Sequence, residues 1–203
     1  MKRVPTVVFS EWAESGRDVP MAKGHERAVA NMLKFALKGR SNYSFIDAGC
    51  GNGWVVRKVK TLPGCVTAIG LDGAPKMIEK ATDIDPEGTY LKVDLESWTP
   101  QKKVDIVLSM EVIYYLNDPK SFINNVCQNW LNENGRLIVG LDFYKENPSS
   151  HSWPEDCGIS LMQLFNEDEW VSFFNYAGFK CVQHWRVDAI NDWGGTLILT
   201  GVK

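Results

Sequence analysis

Phe45-Ile46-Asp47-Ala48-Gly49-Cys50-Gly51-Asn52-Gly53-Trp54 is an apolar run that ends in an acid and is followed by three glycines at every second position. Glycine has no Cβ and tolerates positive φ, so a strand that stops in such a loop brings bare backbone against a ligand. The helix expected to start near Gly53 aims its free N–H groups and the positive end of its dipole at the same spot. Asp47 narrows the choice of ligand, because a carboxylate repels a phosphate at close range and attracts an ammonium. The loop therefore suits a nucleoside carrying an amino acid better than a dinucleotide carrying a pyrophosphate. The dinucleotide fingerprint Gly-x-Gly-x-x-Gly also fails, since position 54 is Trp. The plainer alternative is a glycine turn between a core strand and a helix.

Composition sets the bounds. A chain of 203 residues builds one α/β domain with a full core and is short for two. Its 44% apolar and 23% charged content is that of an ordinary globular protein. The net charge of −3 lacks the basic footprint expected of a protein that grips nucleic acid. Five cysteines, Cys50, Cys65, Cys127, Cys157 and Cys181, form no Cys-x-x-Cys pair, which favours free thiols in a reducing compartment. Met1-Lys2-Arg3-Val4-Pro5 does not open a signal peptide, and no apolar run nears the ~20 residues that span a bilayer. A cytoplasmic protein without membrane partners is the expectation.

Around the glycine loop, strand and helix signals alternate. Strands are expected near 44–48, 66–71, 89–93, 104–109, 136–142, 180–187 and 196–202, and helices near 24–38, 53–61, 75–81, 119–131 and 167–177. Residues 1–20 read as mixed. Alternation at this spacing predicts a mostly parallel sheet with helices on both faces. The last two strand signals are joined only by a polar loop with Asp188, Asn191, Asp192 and Gly194-Gly195, so a closing hairpin and an antiparallel last strand are expected.

In an open α/β sheet, ligands sit at the carboxyl ends of the strands. The second strand ends Leu71-Asp72-Gly73, 25 residues after Asp47. An acid there can accept both hydroxyls of a ribose, or simply cap the helix after Pro75. The third ends Val93-Asp94-Leu95, where Asp94 can accept an adenine amine and Leu95 cover the ring, although Asp is common in turns. The fourth ends Ser109-Met110-Glu111, followed by Tyr114-Tyr115.

These four strand ends, in this order and spacing over roughly residues 40–142, resemble the class I S-adenosylmethionine-dependent methyltransferases. The resemblance implies a Rossmann-like α/β fold: a seven-stranded, mostly parallel sheet with an antiparallel last strand. It implies one domain over 1–203, with an N-terminal helical cap (1–40), a cofactor-binding core (41–142), and an acceptor loop with closing strands (143–203). S-adenosylmethionine is the implied cofactor and S-adenosylhomocysteine the product. The implied cofactor residues are Asp47, Gly49, Cys50, Gly51, Gly53 and Trp54 of the loop, Asp72, Gly73 and Met77 beyond the second strand, Asp94 and Leu95, and Ser109, Met110 and Glu111. Trp12 to His25, Met110 to Tyr115 and Phe143 to Trp153 further resemble uncharacterised archaeal-type methyltransferases, which carry no agreed substrate.

Methyl transfer is an in-line displacement for which the cofactor supplies the activated group and the protein supplies alignment. The acceptor pocket is expected outside the core, in residues 9–25, the tyrosines after strand four, and the long segment from Asp142 to about Leu164. That segment is longer than most connections and reads as a lid or binding loop. His151 is the first candidate for a base or a substrate hydrogen bond, with Tyr115 and Tyr144 next; an exposed loop histidine is the alternative for His151. Glu111 is a candidate base or cofactor contact, and His25 either touches substrate or starts the first helix. No Asn-Pro-Pro-Tyr or Asp-Pro-Pro-Tyr follows strand four, no Pro-Cys pair is present, and no His/Asp/Glu cluster with ligand spacing suggests a metal. A small-molecule acceptor leads. A protein or tRNA acceptor, served by a basic strip of Lys34, Lys38, Arg40, Lys58 and Lys60, and a non-catalytic cofactor binder remain as alternatives.

Overall fold

The structure is a computed structural model and describes residues 2–203. Seven strands run β1 (Tyr43–Ala48), β2 (Cys65–Asp72), β3 (Thr89–Lys92), β4 (Val104–Met110), β5 (Leu131–Leu141), β6 (Lys180–Val187) and β7 (Thr196–Val202). They form one sheet in the order β3-β2-β1-β4-β5-β7-β6. The β1–β2, β2–β3, β1–β4 and β4–β5 pairs are parallel. β7 is antiparallel to both neighbours, β5 and β6, so the expected closing hairpin forms and its second strand inserts into the sheet.

The sheet's residues alternate between two cores because side chains on a strand point to opposite faces. Phe45, Ile106, Leu108 and Met110 join Met32 and Val56 on one face, under α3 (Glu26–Ala36) and α4 (Trp54–Lys60). Ile46, Val107 and Leu137 join Phe122, Trp130 and Trp170 on the other, under α6 (Pro119–Asn125) and α8 (Glu167–Ala177). α8 opens on a full capping box: Asn166 accepts the Glu169 N–H while Glu169 accepts that of Asn166. α5 (Pro75–Ile84) covers the β2–β3 edge of the first face. No helix is long and apolar enough to cross a membrane among the described residues.

Three local expectations differ from the structure. Residues 5–24 are helical, as α1 (Pro5–Ser15) and α2 (Asp18–Gly24). α1 buries only Val8 and Ala13 and leaves Val4 and Val7 exposed, so no continuous apolar stripe marks it. The helix expected over 119–131 ends at Asn125 and continues as one wide π turn, Val126–Trp130, before β5 begins. β5 starts five residues early: Leu131 already pairs with Val104, residues 132–135 with Asn134 (φ 62°) and Gly135 bulge like a turn, and pairing resumes at Arg136 against Ile106.

The segment 142–164 is folded down, not open. Asn147, fully buried, donates to the Asp142 carbonyl (2.7 Å) and accepts from the Gly194 N–H (2.8 Å). The short helix α7 (Trp153–Asp156) then turns the chain toward the N-terminus, where Arg3 and the 158–160 backbone exchange hydrogen bonds.

The N-terminal helices are fastened by one buried acid. Asp18, 1% exposed, accepts from Asn52 Nδ2 (2.7 Å) in the glycine loop and pairs with Lys80 Nζ (2.7 Å) on α5. Asp18→Ala removes both bonds and leaves Lys80 only the Ala13 carbonyl (3.2 Å). We expect it to lower the unfolding free energy by about 2–3 kcal/mol in urea denaturation.

Candidate functional site

A single cavity of about 800 Å³ lies at the carboxyl ends of β1, β2, β3 and β4 and under α1 and α2. β1 and β4 flank the point where strand order reverses, which is where such sheets open a crevice. The glycine loop floors it. Gly49, Gly51 and Gly53 all have positive φ, a conformation glycine adopts without strain. A Cβ on Gly49 would stand 2.1 Å from Val112 Cγ2, so only glycine lets the loop pass under the segment after β4. Leu71's carbonyl accepts the Gly49 and Cys50 N–H groups (2.7 and 2.8 Å).

Asp72 serves the strand end in two ways. Its Oδ2 accepts the Gly51 N–H (2.9 Å) and its Oδ1 the Ala74 N–H (2.8 Å), so it braces the loop and the start of α5 together. Each carboxylate oxygen keeps a further lone pair for a hydroxyl. Asp94 is held by the Glu96 N–H and the Ser97 hydroxyl, with Leu95 beside it on the cavity wall. Asp47, 2% exposed, lies between β1 and the loop; burial, and then the charge of Asp72, push its carboxyl up to about 8. Among the described lining residues Lys92 is the one lysine, and there is no arginine. An acidic floor of this kind rejects a pyrophosphate and accepts a ligand with hydroxyls and a positive charge. These donor and acceptor types fit S-adenosylmethionine: carboxylates for ribose and adenine, and an acid and bare loop backbone for an amino-acid end.

Most of the residues expected at the cofactor line this cavity: Asp47, Gly49, Cys50, Gly51, Trp54, Asp72, Gly73, Met77, Asp94, Leu95, Met110 and Glu111. Gly53 and Ser109 do not. Gly53 caps α4 with its Cα hydrogens against Tyr90, and a Cβ there would stand 2.4 Å from that ring. Ser109 is buried and donates to the Ala48 carbonyl (2.7 Å), tying β4 to β1.

The far end of the cavity is walled by Phe9 and Trp12 of α1, His25, Tyr115 and Trp153. Phe9 packs edge-on against both Trp12 and Tyr115 (5.2 and 5.1 Å). Tyr115 is therefore where it was expected. His151 and Tyr144 are not. His151 is exposed and its Nε2 lies 3.2 Å from the Tyr144 carbonyl, while the Tyr144 hydroxyl donates to the carbonyls of Gly194 and Gly195. Tyr144 secures the 142–164 segment to the β6–β7 hairpin, His151 closes that segment on itself, and both stand outside the cavity lining.

The sequence also gave no sign of a cluster that the fold assembles. His25, Glu111 and Asp142, from the α2–α3 junction and the ends of β4 and β5, bring one donor atom each within 4.8 Å of one another. No ligand spacing along the sequence announces it, since the three lie far apart in the chain. Glu111 (φ 59°) accepts the Tyr114 hydroxyl (2.6 Å) and the Asp142 N–H. Burial, and then Asp142, hold its carboxyl well above the usual range. Asp142 is raised to about 6 and His25 lowered to about 4, both by burial. Asp18 is the other functional residue that sequence reading passed over; an acid in an apparently mixed segment carries no local signal.

The family model described as "Methyltransferase domain" matches residues 21–184. The chain belongs to the methyltransferase-domain family. Its sheet is that of the class I S-adenosylmethionine-dependent enzymes. A curated relative is the trans-aconitate 2-methyltransferase of Klebsiella pneumoniae, 23% identical over 73% of this chain and 64% of that protein. Another is the ubiquinone biosynthesis O-methyltransferase of Pelagibacter ubique, 30% identical over 53% of this chain and 45% of that protein. The chain spans about half to two-thirds of the length of the curated relatives it matches. Among solved structures, it is similar to a chain in the complex between the Haloferax volcanii Trm112 methyltransferase activator and a methyltransferase. There the identity is 26%, the coverage 100% of this chain and 99% of that one, and the TM-score 0.79. The N-methyltransferase NodS of Bradyrhizobium japonicum, bound to S-adenosylhomocysteine, shares the fold at 16% identity and TM-score 0.66, over 85% of this chain and 84% of that one.

Asp47 makes the domain's stability depend on pH. In the unfolded chain it ionises near ~3.9, whereas the folded state keeps its proton up to about 8. Between those values the folded state binds more protons, so stability falls as pH rises. His25 titrates the other way, but its effect is confined to pH below its unfolded value of ~6.5. The melting temperature of the ligand-free protein is therefore expected to drop by about 2–6 °C between pH 6.5 and 8.5. Asp47→Asn should flatten that decline in a thermal-shift series.

Proposed function

We propose that this domain is an S-adenosylmethionine-dependent methyltransferase acting on a small-molecule acceptor. The observation that carries the reading is the two-part cavity. One part is a carboxylate-studded glycine floor at the strand ends. The other is an aromatic chamber closed over by α1 and α2. S-adenosylmethionine, when bound, supplies a methyl group already activated as a sulfonium. The chain's residues bind and exclude. Asp72 accepts ribose hydroxyls, Asp94 an adenine amine, and Leu95 and Met77 cover apolar surface. Asp47 answers a positive charge, and burying that charge beside it restores its ionised form. Phe9, Trp12, Tyr115 and Trp153 keep water from the acceptor end, where Tyr115 positions the acceptor.

A cavity of about 800 Å³ with aromatic walls favours a small acceptor over a macromolecular one. The basic strip weighed for a nucleic-acid acceptor supports the same choice. Lys34 and Lys38 lie at the end of α3 and beyond it, and Lys58 and Lys60 at the end of α4, where the chain turns into β1 and β2. That is the amino end of the sheet, opposite the cavity, and Lys60 is already paired with Asp85.

A second reading concerns assembly. The likeness to the Haloferax volcanii chain runs the whole length of both chains, and that protein is seen with an activator. β3 here pairs only with Ile69–Asp72 of β2, which leaves Cys65–Ala68 with an open edge and Val66 66% exposed. This supports a working unit that includes a small activator subunit. Co-expression with a Trm112-type protein from the same organism, followed by size-exclusion chromatography, tests it; separate elution defeats it.

The main reading is tested by calorimetric titration with S-adenosylhomocysteine, using NADH as the control. Saturable binding of the first alone is expected. Asp94→Ala, whose side chain braces only its own turn, should weaken that binding by about 1.5–3 kcal/mol, or roughly 10- to 150-fold, with an unchanged melting curve. Unchanged affinity in the folded variant defeats the adenine role of Asp94.

A further inference from the structure

The acceptor end of the cavity has an unusual electrostatic make-up. His25 and Glu111 line it, and the Asp142 carboxylate lies directly behind them, with Asp142 Oδ2 3.9 Å from His25 Nε2. Asp142 is 6% exposed and its Oδ1 has no hydrogen-bond partner. A buried carboxylate oxygen without a donor is costly, and a site that retains one is made to receive a donor from elsewhere. No lysine or arginine of the chain pairs with Glu111 or Asp142 among the described residues. Facing them across the chamber are aromatic side chains, Phe9, Trp12, Tyr115 and Trp153, which attract a cation over their faces.

We infer that His25, Glu111 and Asp142 form the binding site for the ammonium group of an amine-bearing acceptor. This deepens the methyltransferase reading and rests on it. The chemistry is complementary on both sides. An ammonium supplies three N–H donors, and the trio can supply an acceptor for each: a carboxylate oxygen of Glu111, one of Asp142, and the unprotonated ring nitrogen of His25, which burial keeps neutral. Charge-assisted hydrogen bonds of ~2.7–2.9 Å to one nitrogen fit three acceptor atoms that all lie within 4.8 Å of one another. The same make-up works against carboxylate acceptors, since a second anion here would meet Glu111 and Asp142 with no cation to offset it.

The test is calorimetry on the full chain saturated with S-adenosylhomocysteine, at pH 7.5. Tryptamine, phenethylamine and histamine are each titrated against the carboxylate of matching length: indole-3-propionate, 3-phenylpropionate and imidazole-4-propionate. At least one amine is expected to bind tenfold or more tightly than its carboxylate counterpart. Asp142→Asn should erase that preference. Should Asp142→Asn fail to fold, His25→Gln, at a partly exposed position, should reduce it at least threefold. Carboxylates that bind as well as the amines, or no amine binding to protein that binds S-adenosylhomocysteine, overturns the inference. So does saturable binding of Zn²⁺ or Mg²⁺ that excludes the amine and is lost in His25→Gln. Failure to bind S-adenosylhomocysteine at all is a separate result and defeats the methyltransferase reading. The amine and carboxylate titrations on the ligand-free chain then decide the inference alone.

Discussion

The end of β2 holds the glycine loop in place, and the rest of the site depends on that hold. Leu71 offers one carbonyl to two loop N–H groups, and Asp72 offers a carboxylate oxygen to a third. With those bonds made, the loop can keep three left-handed glycines in succession and still start α4 at Gly53. The same carboxylate reaches the start of α5, so one acid sets the relation of β1, β2 and two helices. The loop then has bare backbone on the cavity side and the β4 exit segment on the other, with no room at Gly49 for a side chain.

What makes that floor a chamber is contributed from outside the core. α1 and α2 have little apolar surface of their own to bury, and they are held by Asp18 to the loop and to α5. The 142–164 segment reaches them from the other side through its backbone bonds to Arg3. The cavity is thus bordered by the N-terminal helices and the internal 142–164 segment, which meet beyond the strand termini. The roof is aromatic, and the floor and far wall are acidic. Burial keeps several of those acids partly protonated until a positive charge arrives, as the raised values of Asp47, Glu111 and Asp142 express. A bound cation repays the desolvation that the folded protein otherwise carries.

The core was legible because its signals are local. The run 45–54, the acids at 72 and 94, and the apolar stretches at 104–108 and 137–141 each announce a strand and its end without reference to anything distant. The antiparallel last strand came from the resemblance and from the polar link between the final strands, whereas the strand order was visible only in the folded sheet. The acceptor end was not legible in the same way. Tyr115 follows a strand end and lines the cavity. His151 looks available as a histidine in a long loop, yet that loop is pinned by Asn147 and Tyr144, whose bonds run to residues 194 and 195, and His151 lies outside the lining.

The sequence by itself determined the parallel α/β sheet, the glycine loop and the acids that ring it, because strand ends and tight turns are written in neighbouring residues. Only the tertiary structure decided which distant side chains gather at the wall of the cavity. His25, Glu111 and Asp142 meet there, and Asp18 locks the roof, because the sheet brings the ends of β4 and β5 side by side and the N-terminal helices fold back over them. Such contacts depend on long-range packing and buried charge, and no periodicity along the chain encodes them.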